Sequence, residues 1–488
     1  MNRDSRVIIV DSRLAKKQSR SMKCSSVLNW MVLFGFMVNY MLRVNMSIVI
    51  VEMESNNNHH NVTTFSSNST AITAKSSGME LDWSEFDKNL ILGSFYWGYI
   101  ITELPGGLMA EKVGTRPIFG YSMLLASIVT LFTPMAMDLG LYPLLFCRAL
   151  LGLALGVTYP AIQPIAVNWI PPNERGKFIA NMMATNLGAG FTILACGFII
   201  PILQWKSVFY ISGLVGVVWS VFWFCLIFET PAQHPRITES ERDYIESQIA
   251  EQSSSPIKPK QIPWAKIFTS LPVWAIIITH VTSVFGYFTI SLQLPMYMKY
   301  VLHYEIKANG LLSSLPYFGK FFMAFFVGII ADRIITYRKM SKTTTRKLFT
   351  SIGVFSPGIL MIAQVYYGEN QLWSVLIFVF ALTLNGAVSG GYLGSALDIA
   401  PNFSGIIFGI ANTLPSFGGF LSTYIVGELT NNNQTFGQWK IVFWILAITY
   451  TISGFVFLIY GTAQTLSWNS IPVNEETKDV QLPKIMVY

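Results

Sequence analysis

Long apolar runs separated by short polar stretches dominate this chain. Twelve stand out, at 27–50, 86–108, 117–136, 141–165, 178–200, 207–228, 273–298, 308–331, 348–366, 371–395, 405–427 and 440–461. Each is near the roughly 20 residues that a helix needs to cross a ~30 Å hydrocarbon layer. Core helices of soluble proteins are shorter and carry polar positions at helical spacing. The pattern predicts an all-α membrane protein with twelve transmembrane helices. The longest polar stretch between runs, 229–272, divides them six and six, and holds a short amphipathic segment near 238–251. The expected organisation is a basic tail 1–26, a six-helix bundle 27–228 with an outer loop 51–85, a linker 229–272, a second bundle 273–461 and a tail 462–488.

Composition agrees. Of 488 residues 52% are hydrophobic and only 12% charged, about half the charge of a soluble domain. Cys24, Cys147, Cys196 and Cys225 are scattered singly, with neither a disulfide framework nor zinc spacing. No metal-ligand cluster, nucleophile elbow or phosphate loop is present, so an enzyme is disfavoured and no cofactor is expected. The net charge of +7 points to a membrane surface rather than nucleic acid, because it is unevenly placed. Arg3, Arg6, Arg13, Lys16, Lys17, Arg20 and Lys23 precede the first run, as in a retained cytoplasmic tail rather than a cleaved signal peptide. With both termini inside, the inner segments hold 24 of the 33 Lys and Arg residues and the outer segments six. That asymmetry predicts cytoplasmic termini. The sequons at Asn61, Asn68 and Asn433 then fall outside, as glycosylation requires, although Asn-rich loops also produce such triplets by chance. No acidic dileucine signal stands out in the N-tail, which favours the plasma membrane over a lysosomal or vesicular one.

The two halves repeat one another. The second run ends Gly107-Leu-Met-Ala-Glu111-Lys112-Val-Gly114-Thr-Arg116, and the eighth ends Gly328-Ile-Ile-Ala-Asp332-Arg333. Such symmetry is that of a two-bundle transporter with its site between the halves. Gly114 supplies the turn, the acid is placed to accept from a helix N-terminus, and the bases face the headgroups.

Further motifs carry a family resemblance over about 430 residues. They include Tyr40-Met-Leu-Arg43-Val-Asn45-Met-Ser47, Gly93-Ser-Phe-Tyr-Trp97-Gly98-Tyr99-Ile-Ile-Thr-Glu103-Leu-Pro105-Gly106-Gly107 and Arg148-Ala-Leu-Leu-Gly152-Leu-Ala-Leu-Gly156-Val-Thr-Tyr159-Pro160. Trp169-Ile-Pro171-Pro172-Asn-Glu174-Arg175, His234-Pro235-Arg236-Ile and Leu397-Asp398-Ile-Ala-Pro401 complete the set. Together they resemble the branch of the major facilitator superfamily that holds sialin, the vesicular glutamate transporters and the sodium-phosphate cotransporters. Within it the likeness is greatest to the insect members named as inorganic phosphate cotransporters. The resemblance implies the major facilitator fold and transport of an anion, coupled to sodium or protons or driven by voltage. Some positions depart from it. Leu155 stands where the vesicular and lysosomal members carry glutamate, and Gln163, Leu92 and Ser283 replace a histidine, a histidine and an arginine of the branch. These departures argue against a vesicular glutamate function.

Ionisable side chains at bilayer depth are costly unless paired or hydrated, and so mark functional positions. Arg43 and Arg148 are candidate anion ligands, and a structural salt bridge or helix packing is the alternative for each. Lys320 lies midway along the eighth run, where the family is uncharged, and Glu103 lies in the second, where the relatives carry glutamine. A compensating Glu103–Lys320 pair or gate is expected, with Glu111, Arg116, Asp332 and Asp398 as further gating residues. Tyr40, Tyr99 and Tyr287 are candidate walls of the site, with lipid contact or packing as the alternative. Asn45 and Asn412 are candidate oxygen ligands for substrate or sodium, with interhelical hydrogen bonding as the alternative. His280 is expected to be a satisfied core or cavity histidine. The expected function is secondary active transport of a small anion, inorganic phosphate or an organic anion, by alternating access with a co-transported sodium ion or proton. An uncoupled channel or leak and an anion sensor are the alternatives. The expected partners are the anionic substrate and the bilayer, with neither nucleic acid nor an obligatory protein partner.

Overall fold

Polar side chains mark where several helices begin. Ser84 accepts from Asp87 N, and the Asp87 carboxylate accepts from Ser84 N in return, closing a capping box. Ser341 caps its helix by accepting from Thr344 N, and Asn370 accepts from Leu372 N and Trp373 N. The computed structural model describes residues 23–61, 83–171, 178, 181–253, 262–431 and 434–469. Among them there is no strand.

The N-terminal bundle contains α1 (Cys24–Asn61), α2 (Glu85–Val113), α3 (Thr115–Asp138), α4 (Leu141–Gly156), α5 (Ala184–Leu203) and α6 (Lys206–Leu226). The C-terminal bundle contains α7 (Leu271–Tyr300), α8 (Ile306–Thr336), α9 (Lys342–Tyr367), α10 (Gln371–Asn385), α11 (Ser404–Thr430) and α12 (Phe436–Tyr460). Among the described residues ten spans are long and apolar enough to cross a bilayer, by length and composition alone. The exceptions are α2 and α8, which are as long, at 29 and 31 residues, but carry the intramembrane charges Glu103 and Lys320. Large apolar side chains such as Phe325, Phe326 and Ile459 stay exposed on outward faces, as a lipid-facing surface requires.

α1 runs to Asn61, beyond the end of its apolar run at 50. α4 and α10 occupy equivalent places in the two halves, and both are broken. Short helices Thr158–Ala161 and Gln163–Trp169 continue α4 around Pro160 and Pro164, and short turns through Gly386, Gly390, Gly391 and Gly394 lead from α10 to Ser395–Ile399. Proline removes a backbone donor, and glycine lowers the cost of bending. The linker contains the helix Glu239–Ser253, whose Ile245 is buried with the N-terminal bundle. Its Glu241 accepts from Cys24 N, Ser25 N and Ser25 Oγ at 3.0, 3.0 and 2.8 Å, which places a carboxylate on the N-terminus of α1.

The bundles meet along α2–α11 and α5–α8, with α1 against α7 between them. Small residues allow the approach: a Cβ on Gly310 would sit 2.7 Å from Gly197 Cα. Hydrogen bonds close the seam at the end opposite the linker, where Lys88 Nζ donates to the Tyr300 hydroxyl at 3.2 Å and Gln293 Nε2 to Asn89 Oδ1 at 2.6 Å. One face of α11 then reports how far the closure reaches. From Gly427 through Thr423 and Gly419 to Ser416 it packs on α2, whereas Cβ atoms at Gly409 and Gly405 would meet nothing within 4 Å. The seam is therefore shut at the end where α2 begins and open toward the linker.

Candidate functional site

Arg43 enters the seam from α1, about sixteen residues past the start of its apolar run. It is 5% exposed, and its guanidinium carbon lies 4.7–5.5 Å from the ring centres of Tyr40, Phe95, Tyr96, Tyr99 and Phe288. Four of these rings come from the N-terminal bundle, and Phe288 reaches across from α7. Nη2 donates to the Tyr96 hydroxyl at 2.7 Å. Arg148 on α4 is 2% exposed, its ring neighbour is Phe95 at 5.4 Å, and its Nε has no hydrogen-bond partner. Among the described residues no carboxylate pairs with either arginine. Aromatic faces attract a guanidinium without consuming its donors, and beyond Arg43 Nη2 to Tyr96 and Arg148 Nη2 to Arg43 O at 3.5 Å the planar forks keep donors for an anion.

The C-terminal bundle adds Lys320, Tyr287, His280 and Asn412. Lys320 Nζ lies 3.4 Å from the Tyr287 ring centre, and the Tyr287 hydroxyl donates across the seam to Asn186 Oδ1 at 3.2 Å. His280 Nε2 donates to Asn412 Oδ1 at 2.9 Å, and its Nδ1 pairs with the Tyr392 hydroxyl at 3.0 Å, so a neutral imidazole meets both needs. Asn412 itself is exposed to the open part of the seam. Ser416 Oγ donates to Glu103 Oε2 at 2.6 Å, joining α11 to α2.

Several expected placements change. Glu103 and Lys320 form no ion pair: the carboxylate is held by Ser416 and the ammonium by the Tyr287 ring. Asn45 donates through Nδ2 to Ser212 Oγ on α6 at 3.1 Å, while its buried Oδ1 has no hydrogen-bond partner. Glu111 is exposed, and the acid at the N-terminus of α3 is Glu229, which accepts from Thr115 N and Arg116 N at 2.9 Å each. The macrodipole explains the exchange, since Glu111 ends α2, where negative charge is disfavoured, while Glu229 meets the positive end of α3. Arg116 is half-buried and donates to Phe224 O at 2.7 Å, strapping α3 to α6. Asp332 is exposed. Asp398 receives Arg346 Nε at 2.8 Å and so ties α9 to the segment after α10. Gly114, at φ 108°, makes the expected turn. Asn61 is the last residue of α1, and Asn68 and Asn433 lie outside the described residues.

Phe95, Phe288, Ser416 and Asn186 were absent from the sequence candidates. Phenylalanine in a span carries no signal against its apolar background, and serine and asparagine at helical spacing read as packing residues.

Two six-helix bundles meeting on a seam that holds unpaired cations, open at one end, define a membrane transporter rather than an enzyme. The chain belongs to the Major Facilitator Superfamily, whose sequence profile matches residues 31–423. It is 35% identical to human sialin over 459 residues, 91% of each chain. It is 33% identical to a Drosophila melanogaster protein named "Putative inorganic phosphate cotransporter", over 98% of this chain and 93% of that one. Its fold is similar to that of a bacterial homologue of the human lysosomal transporter Spinster in an inward-facing, occupied conformation, with a TM-score of 0.62, 13% identity, and coverage of 90% of this chain and 98% of that one.

Proposed function

We propose that this transporter carries a small anion, inorganic phosphate or an organic anion, by alternating access, and that a proton on Glu103 is the coupling ion. The supporting observation is Arg43: a buried guanidinium held by rings and one hydroxyl, with no carboxylate in ion-pair reach among the described residues. A cation kept at bilayer depth with no carboxylate in direct ion-pair contact is stabilised when an anion arrives with charge-assisted hydrogen bonds. The insect relative's name supports phosphate as a first substrate to test. Glu103 is the one carboxylate among the described residues that is buried, and it bridges the two bundles. Opening the closed end must separate α2 from α11. Leaving an ionised carboxylate there without a donor is costly, and a proton removes that cost. With the termini cytoplasmic, as the Lys and Arg distribution supports, the open end faces the cytoplasm, and the plasma membrane is the proposed site of action.

The test is uptake of radiolabelled phosphate and glutamate by cells expressing the protein, with sodium present or replaced by choline, at two external pH values. Accumulation against a gradient, stronger at the acid pH, unaffected by choline and lost in Arg43→Ala at normal surface expression, is the expected result. Equilibration without accumulation would instead identify a leak, and binding without flux a sensor.

A further inference from the structure

We infer that Lys320 is the anion-binding residue of the C-terminal bundle and that, with Arg43, it selects substrates bearing two acidic groups on a short apolar spacer. This rests on the anion-transport reading above and narrows it.

The geometry begins on α7, where Tyr287 and Phe288 are consecutive and their ring centres lie 5.8 Å apart. Arg43 of the N-terminal bundle approaches Phe288 at 4.7 Å, and Lys320 of the C-terminal bundle approaches Tyr287 at 3.4 Å. Tyr287 lies at the seam, because its hydroxyl reaches Asn186 on α5. Two cations from opposite bundles therefore rest on neighbouring rings. Among the described residues neither is in an ion pair. Glu103, the buried carboxylate nearest this group in the fold, is engaged by Ser416.

Charge balance sets the substrate class. Arg43, Arg148 and Lys320 oppose the single carboxylate of Glu103, leaving an excess of two positive charges when all are ionised. With Glu103 ionised, one acidic group would leave a cation uncompensated at bilayer depth and two bring the seam to neutrality; the coupling proton raises the excess by one, so a single acidic group then falls further short. Separation decides how the two charges must be carried. A phosphate dianion concentrates both at one point and reaches one cation well. A short dicarboxylate places one carboxylate at each, with its methylenes over the intervening ring surface. Lys320 supplies a point charge with rotatable donors, and Arg43 a planar fork, so the two ends are recognised differently.

The experiment compares uptake of labelled succinate, butyrate and phosphate by purified protein in liposomes, for the wild type, Lys320→Met, Lys320→Arg and Arg43→Ala. The wild type is expected to prefer succinate to butyrate by about tenfold or more, the worth of roughly one well-made charged contact. Lys320→Met should lower succinate uptake about tenfold and bring the succinate-to-butyrate ratio near one, and Lys320→Arg should restore most of it. Protection of the wild type, but not Lys320→Met, against thermal unfolding by succinate provides a readout independent of flux. An unchanged ratio in Lys320→Met overturns the assignment. Robust phosphate or butyrate uptake without succinate uptake overturns the two-acid class while sparing anion transport. If no anion is carried and Arg43→Ala behaves as the wild type, the anion-transport reading itself has failed, and this inference with it.

Discussion

The Ser416 hydroxyl of α11 donates to the Glu103 carboxylate of α2 at 2.6 Å, and beyond it on the same helix Cβ atoms at Gly409 and Gly405 would meet nothing within 4 Å. It joins a group that titrates to the interface that must separate during transport. Changing the Glu103 side chain should therefore split exchange from gradient-driven accumulation. In Glu103→Gln the amide oxygen still accepts from Ser416 but no proton is bound or released. Counterflow of labelled anion should persist, while stimulation by an inward proton gradient disappears. Retained stimulation would remove Glu103 from coupling.

Arg43→Lys keeps the charge and loses the planar fork. Uptake should fall about tenfold at saturating expression, and Arg43→Ala should abolish it, with surface labelling of both variants near that of the parent. Equal uptake by the lysine variant would show that only charge is needed.

Gly197 and Gly310 hold α5 and α8 in backbone contact at the closed end. Gly310→Leu places a side chain where there is no room and should wedge that end open. Cysteine-accessibility labelling of positions lining the closed end should rise severalfold, and uptake should fall. Labelling that matches the parent would show that the seam accommodates the bulk.

Glu241 binds the first amides of α1, and His234 lies between Trp169 and Phe228 at ring separations of 5.7 and 4.9 Å. Glu241→Ala should cost roughly 1 kcal/mol of stability, as loss of a helix cap does, read as a lower unfolding midpoint in detergent. Burial lowers the pKa of His234 below its ordinary value. The folded state thus favours the neutral ring: its contribution is complete above the ordinary histidine range and declines as the pH falls through it. The midpoint should drop on acidification, and less so in His234→Phe. Identical pH profiles would exclude the histidine as the cause.

Much of this architecture is local in origin. Hydrophobic length places helices one residue at a time, so the long apolar helices and the turn at Gly114 are legible along the chain. A charge in a bilayer span is costly wherever its partners lie, which is why Arg43, Arg148, Glu103 and Lys320 stand out against an apolar background. What each of them touches is not local. Glu103 meets Ser416 across 313 positions, and Arg43 meets Phe288 from the opposite bundle. Opposite charges in symmetry-related helices suggested a Glu103–Lys320 pair, yet the packing of α2 on α11 gave the acid a serine, and the rotation of α8 gave the lysine an aromatic ring. The sequence by itself determined the spans, the repeat and the buried charges, because hydration energy acts residue by residue. Only the tertiary structure decided the partners, the open end of the seam and the shared aromatic floor of α7, because these depend on how rigid helices rotate and cross when they pack.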